Sequence, residues 1–180
     1  MACEFPLGQQ PKPTKCMIYC WYANSDITSS FMGPPKFPDR PILTWEELYA
    51  DYRRHYFEDA VPQVARCFII TADDTPVGQI TYNDIDWDKS HTELDIWMSF
   101  EANCGKGYGP DALNALCDYL YKTHGVTQFI VQASERNQRA IRAYQKAGFK
   151  RLKLSRVEME TEYGDALDYV DSTLLTKRYP

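Results

Sequence analysis

The chain has 180 residues, 44% hydrophobic and 14% aromatic, which fits one globular domain with its own core and excludes the disordered class. A formal net charge of −5 argues against nucleic acid as a partner, because phosphate backbones recruit basic surfaces, and suits a cationic small molecule or a basic peptide instead. No run approaches the ~18 uninterrupted apolar residues of a membrane span and the first residues lack a leader layout, so a cytoplasmic location without a membrane partner is expected.

Residues 1–15 are rich in proline and polar residues and read as an irregular arm. Residues 16–32, with Met17, Ile18, Trp21, Tyr22 and Ile27, read as short helical pieces. The run from Gly33 to Pro41 holds four prolines and cannot be regular structure, since proline fixes φ and removes a donor. Thr44-Trp45-Glu46-Glu47 is a capping box that opens a helix to about Phe57. The six cysteines (Cys3, Cys16, Cys20, Cys67, Cys104, Cys117) form no CxxC pair, so reduced thiols are expected. His55, His91 and His124 lie far from Cys16 and Cys20 in sequence, so no metal site is expected.

Strand-like runs follow at Cys67–Thr71, Val77–Ile85 and His91–Phe100, with hairpin spacing, which predicts an antiparallel meander. Leu113, Leu116, Cys117 and Leu120 then fall at i, i+3, i+4 and i+7, the period of an amphipathic helix ending near His124-Gly125. Val126–Ala133 reads as a buried strand and Asn137–Ala147 as a helix capped by Asn137 and stopped by Gly148. Residues 149–160 and 166–176 read as a final strand pair around Tyr163-Gly164-Asp165. The order predicts an α/β (α+β) domain with a mixed, mostly antiparallel central sheet flanked by helices.

Between the third strand and the first long helix stands Cys104-Gly105-Lys106-Gly107-Tyr108-Gly109. A strand, a Gly-x-Gly-x-Gly loop and a helix make a phosphate site: the first N–H groups of a helix have no internal partner, the helix dipole is positive there, and glycine lets the backbone approach closely. The spacing is neither GxxxxGK[ST] nor GxGxxG; taken alone, it also fits a tight turn that needs glycine.

This loop, together with Glu135-Arg136-Asn137-Gln138-Arg139-Ala140-Ile141-Arg142-Ala143-Tyr144-Gln145-Lys146-Ala147-Gly148-Phe149 further on, resembles the two conserved blocks of the GNAT N-acetyltransferases. The Arg-Ala-Ile-Arg-Ala-Tyr-Gln-Lys string is most similar to the aminoglycoside 6′-N-acetyltransferases, followed by the ribosomal-protein N-terminal acetyltransferases. The resemblance implies a GNAT-type sheet in one domain over 1–180, with a helical substrate-side region at 16–60 and an acetyl-CoA-binding core at 66–176. It implies cofactor contacts from Trp97, Met98, Asn103, Cys104, Gly105, Lys106, Gly107, Tyr108, Gly109, Asn137, Ala140 and Tyr144, and, as in many small members, a homodimer. Cys104 stands where the family has Gln or Arg, with Asn103 beside it as the substitute, and Pro110 has no N–H, so rearranged cofactor contacts are expected.

Acetyl transfer to an amine needs a base, oxyanion stabilisation and a proton for the thiolate. In His91-Thr92-Glu93-Leu94-Asp95-Ile96-Trp97-Met98, period two puts Glu93, Asp95 and Trp97 on one face and Leu94, Ile96 and Met98 on the other. Two carboxylates on a central strand are costly unless they face a cleft, where they bind a polycation and take its proton. The aminoglycoside resemblance assigns the base to Asp95; the N-terminal acetyltransferase resemblance assigns it to Glu93. The oxyanion donor is then a backbone N–H near Trp97 or Met98. By resemblance, Tyr144 reprotonates the CoA sulfur and Asn137 meets the pantetheine arm. Asp84, Asp86 and Asp88 around Trp87 extend the cation site or form a solvated turn, and Cys104, with no activating partner in sequence, is a buried structural thiol.

The expected function is acetyl-CoA-dependent N-acetylation of a primary amine on a small cationic substrate, aminoglycoside- or polyamine-like. The alternatives are acetylation of a protein N-terminus or lysine, and a non-catalytic acyl-CoA sensor.

Overall fold

The structure, a computed structural model, describes residues 13–27, 44–51, 54–57, 62–163 and 171–180. The proline-rich run at 33–41, the arm before residue 13 and the Gly164-Asp165 turn lie outside the described residues. Helix α1 spans Pro13–Asn24. It starts earlier than the expected irregular arm would end; Ile18 and Trp21 pack with Cys67, Tyr22 meets the Trp97 ring, and residues 28–32 of the expected helical stretch lie outside the described residues. The capping box forms as expected, Thr44 N–H donating to Glu47 Oε2 at 2.8 Å and Glu47 N–H to Thr44 Oγ1 at 3.2 Å. The helix it opens, α2, runs Trp45–Asp51. A separate 3₁₀ turn follows at Arg54–Phe57, so the expected single helix to Phe57 is divided.

The meander forms β1 (Arg66–Ala72), β2 (Thr75–Tyr82) and β3 (His91–Met98), paired antiparallel. Helix α3 spans Tyr108–His124 and ends on Gly125 at φ +69°, where a left-handed residue is needed. Strand β4 (Gln128–Ser134) leads to α4 (Gln138–Lys146) and then the two-residue β5 (Lys150–Arg151). Residues expected to continue that strand form α5, Arg156–Tyr163. The cause is a second capping box that the sequence already carried: Ser155 N–H donates to Glu158 Oε2 at 2.7 Å, and Glu158 N–H to Ser155 Oγ at 3.3 Å. Strand β6 (Ser172–Arg178) closes the described chain.

The sheet has six strands in the order β1-β2-β3-β4-β6-β5, antiparallel except for the β3–β4 pair. Its two faces bury different layers. Leu94, Tyr82, Phe129, Val131 and Leu175 pack with Leu113, Leu116, Leu120 and Ile141 from α3 and α4. On the opposite face Ile18 and Trp21 of α1 meet Cys67, Tyr56 and Trp97, while Met159 of α5 covers Ile130 and Leu174. Among the described residues no helix is long and apolar enough to cross a membrane.

Gly78 sets how closely β2 and β3 can approach at the far end of β3. A Cβ there would stand 2.5 Å from the Trp97 carbonyl oxygen and 3.1 Å from Met98 Cα, both backbone atoms with nowhere to go. Gly78→Ala is expected to cost about 2 kcal/mol, seen as a fall in Tm of about 4–8 °C by calorimetry; an unchanged Tm would show that the two strands part freely.

Candidate active site

The site begins with a pairing that stops. Parallel register between β3 and β4 runs His91↔Gln128, Thr92↔Phe129 and Glu93↔Ile130, and ends there. Both strands continue, to Met98 and to Ser134, so their carboxyl-terminal halves diverge. The side on which each β3 residue's polar backbone points follows from the β2 contacts. Asn83 N–H donates to Glu93 O and Ser99 N–H to Val77 O, both at 2.9 Å. Odd-numbered positions therefore turn toward β2 and even-numbered ones toward β4. Past the last paired position, the N–H groups of Ile96 and Met98 face the gap, whereas that of Trp97 faces β2 opposite Gln79.

The glycine loop lies directly beyond β3. Gly105 and Gly107 have φ of +73° and +93°, and a Cβ at either would meet no protein atom within 4 Å. These glycines serve a turn with open space before it. Gly107 caps α3 without any side-chain hydrogen bond. Among the described residues the N–H groups of 105–109 have no acceptor within the protein. Lys106 is exposed beside them. Pro110 sits in the first turn, where its missing N–H removes one donor and leaves the helix intact. Asn103 does not reach toward the loop's open side: its Nδ2 donates to Ser99 Oγ at 2.9 Å. It pins the turn instead, helped by Asp26, which accepts the Glu101 N–H at 2.7 Å, and by an Arg139–Glu101 ion pair from α4.

The two carboxylates share one face, as alternation requires. Asp95 is exposed and accepts a 2.6 Å hydrogen bond from Asn83 Nδ2. Glu93 lines a cleft of about 300 Å³ between the β2–β3 connection, β4 and α5. Asp84, Asp86, Glu93 and Glu162 stand in it against Lys89, so its field favours cations. The backbone N–H of Lys89 holds the Asp86 carboxyl below the usual range, and burial lowers His91, which stays neutral to lower pH. Trp87 is 54% exposed on the same connection. On the other face, α4 opens beside the gap. Asn137 Oδ1 accepts the Ala140 N–H at 3.1 Å, the expected cap, with Ala140 half-buried. Tyr144 is buried, its ring 6.4 Å from Phe149 in the core.

The structure thus gathers Glu93, Asp95, Met98, the glycine loop and the α4 N-terminus around one gap. Sequence reasoning missed Asn83, Tyr56 and Glu162. Glu162 is brought to the cleft by α5, which takes up the end of the strand expected at 149–160 and the residues after it, and Asn83 meets Asp95 only once the β2–β3 register is known.

The family profile of the GNAT acetyltransferase domain matches residues 13–150. The chain belongs to that family. The GNAT domain is 28% identical over 146 residues to the aminoglycoside N(6′)-acetyltransferase type 1 of Klebsiella pneumoniae, covering 75% of this chain and 68% of that protein. Its fold matches aminoglycoside acetyltransferase AAC(6′)-Ib in complex with coenzyme A, with TM-score 0.65, 21% identity and coverage of 91% and 88%. It also matches the spermidine N-acetyltransferase of Vibrio cholerae in complex with CoA and spermine, with TM-score 0.67, 19% identity and coverage of 94% and 92%. A GNAT domain draws its acetyl group from acetyl-CoA, and the residues present fit that cofactor. The donors at 105–109 are uncommitted, the space before Gly105 and Gly107 is clear, and the gap between β3 and β4 is flanked by backbone N–H groups.

Among the described free thiols, Cys16, Cys67, Cys104 and Cys117 are all raised by burial, which disfavours the nucleophilic thiolate. Cys104 is half-buried rather than buried, and burial raises its thiol against the lowering effect of Arg139. Burial pushes Cys67 to about 11 and Cys117 to about 12. Cys20 departs from the reduced-thiol expectation: it is disulfide-bonded. Native protein treated with iodoacetamide at pH 7.5 should alkylate Cys104 more slowly than a free thiol, and Cys67 and Cys117 only on unfolding, as read by peptide mass spectrometry. Rapid alkylation of Cys104 would mark an activated thiolate.

Proposed function

We propose that the domain transfers an acetyl group directly to a primary amine of a small polycation, aminoglycoside- or polyamine-like, with Asp95 as the base. The observation that carries this reading is the common face: Asp95 and the acidic cleft lie on the same side of β3, beside the gap. Acetyl-CoA supplies the activated acyl group. The 105–109 N–H groups and Lys106 hold its phosphates at the α3 N-terminus. The acidic cleft binds the acceptor's further ammonium groups and aligns one of them with Asp95, which takes its proton directly or through one water. Ile96 and Met98 are the β3 residues whose N–H groups face the gap and so are placed to steady a carbonyl oxygen gaining charge. Trp97 serves as an apolar wall rather than as a donor. Tyr144 is the proton donor for the departing thiolate.

The relatives favour such acceptors by their own chemistry: one of them carries an aminoglycoside in its name, and another is solved with spermine. A thiol-release assay with acetyl-CoA against kanamycin, ribostamycin, spermidine and N-terminal peptides tests the reading. Turnover is expected with at least one polyamine or aminoglycoside, and Asp95→Asn should lower kcat by about 10²-fold or more with an unchanged KM for acetyl-CoA. Glu93→Gln should instead raise the acceptor KM. Full turnover by Asp95→Asn moves the base elsewhere, and CoA binding without turnover of any amine makes the domain a sensor. Gly107→Ala should weaken CoA binding about tenfold by calorimetry, since a Cβ at φ +93° is strained and intrudes on the phosphates.

A further inference from the structure

Asn83 follows β2 at the point where the chain leaves for the acidic connection, and it is held on three sides. Its backbone N–H donates to Glu93 O at 2.9 Å, and its carbonyl accepts the hydroxyl of Thr92, which is fully buried. Its side-chain Oδ1 accepts the Tyr56 hydroxyl at 2.9 Å. Its Nδ2 then reaches diagonally across to Asp95 Oδ2 at 2.6 Å. Turned over, the amide would press its oxygen against a carboxylate oxygen, so chemistry fixes which end faces Asp95. Tyr56 comes from the 3₁₀ turn that α1 and β1 pack against, so the chain of contacts begins in the helical region and ends at the carboxylate.

We propose that Asn83, buttressed by Tyr56, is the positioning residue for Asp95, fixing the orientation in which its carboxylate meets the acceptor amine. The proposal rests on the assignment of Asp95 as base. A hydrogen bond to the charged form of a carboxylate keeps it ionised to lower pH and costs the side chain its rotational freedom. Both effects serve a base whose side chain is exposed, because a fixed carboxylate orientation favours proton transfer. Among the described residues, the ionisable groups on this face include Glu93 on the same strand, Asp84 beside Asn83, the Cys67 thiol on β1, Tyr56 on the 3₁₀ turn, and Tyr22 and Lys15 on α1, with Asp86, Lys89, His91, Glu162 and Tyr163 along the acidic cleft. Lys15 lies over the Phe57 ring, 5.9 Å from its centroid, and the raised Cys67 thiol stays neutral through the working range. Glu93 and Asp84 are like charges on the same face, so the Asn83 donor works against their repulsion.

The test is a titration of the Asp95 side-chain carboxyl by carbon NMR in the wild-type domain, in Asn83→Leu and in Tyr56→Phe, with kcat/KM followed against pH. Loss of the donor should raise the Asp95 midpoint by about one pH unit in Asn83→Leu and by about half a unit in Tyr56→Phe. The acidic limb of kcat/KM should move upward with it, so activity is lost sooner as pH falls. At neutral pH kcat should fall about tenfold in Asn83→Leu while KM for acetyl-CoA stays unchanged, which a general loosening of the fold would not permit. Tyr56→Phe keeps the test open if Asn83→Leu does not fold. An Asp95 midpoint unmoved in the folded variants overturns the proposal. Wild-type turnover by Asp95→Asn overturns the base assignment separately, and the NMR midpoints are read without any acceptor.

Discussion

The structure depends on a parallel strand pair that pairs for three residues and then parts. Up to Glu93↔Ile130 the β3–β4 ladder joins the meander to the β4–β6–β5 half of the sheet. Beyond it each strand must leave backbone donors and acceptors without a ladder partner, which is costly unless something else meets them. The carboxyl ends of parallel strands are also where helices begin. Here α3 and α4 both start beside the gap, each presenting the positive end of its dipole. One interruption in a ladder therefore produces a slot, two helix N-termini around it and a strand whose alternate residues address opposite tasks: backbone toward the slot at even positions, carboxylates toward the acceptor at odd ones.

An open slot needs rigid walls, and the contacts around it supply them. The glycine loop is braced from below by Asn103 on Ser99, by Asp26 on the Glu101 N–H and by Arg139 reaching from α4. The β4–α4 turn is braced by Asp171, which accepts Ser134 Oγ at 2.8 Å and takes Arg136 at 2.7 and 3.2 Å. That forked pair holds the Asp171 carboxyl below the usual range. The ion pairs are largely exposed and each adds little stability alone. Their effect is geometric, since they fix turns whose backbone must already point at the cofactor.

Much of this was legible in the sequence because local physics decided it. Gly-x-Gly-x-Gly before an amphipathic helix, Asn137 as a cap, and the period-two split of Glu93 and Asp95 from Leu94 and Ile96 all survive in three dimensions. What was not legible depended on register or on competing local signals. Asn83 meets Asp95 only because β2 and β3 pair Thr81 with Asp95, which places the two one diagonal apart. Asn103 was expected to meet the cofactor from its position beside the loop; its side-chain partner in the structure, Ser99 Oγ, could be found only once the turn at 99–104 was known. Residues 149–160 were expected to be a strand, yet Ser155 and Glu158 cap a helix from Arg156, and Met159 finds an apolar seat on Ile130 and Leu174. That signal was present and outweighed by an expectation of a final strand.

The central claim is that the gap between β3 and β4 holds the cofactor, with its phosphates on the α3 N-terminus. Titrating nitrogen-15-labelled protein with coenzyme A and following the backbone amides tests this most directly. The account predicts that the largest shifts fall on Ile96, Met98 and residues 105–109, with smaller ones at Asn137–Ala140 and none along β1. Saturable binding that leaves Ile96, Met98 and the glycine loop unshifted, while amides elsewhere move, would contradict it.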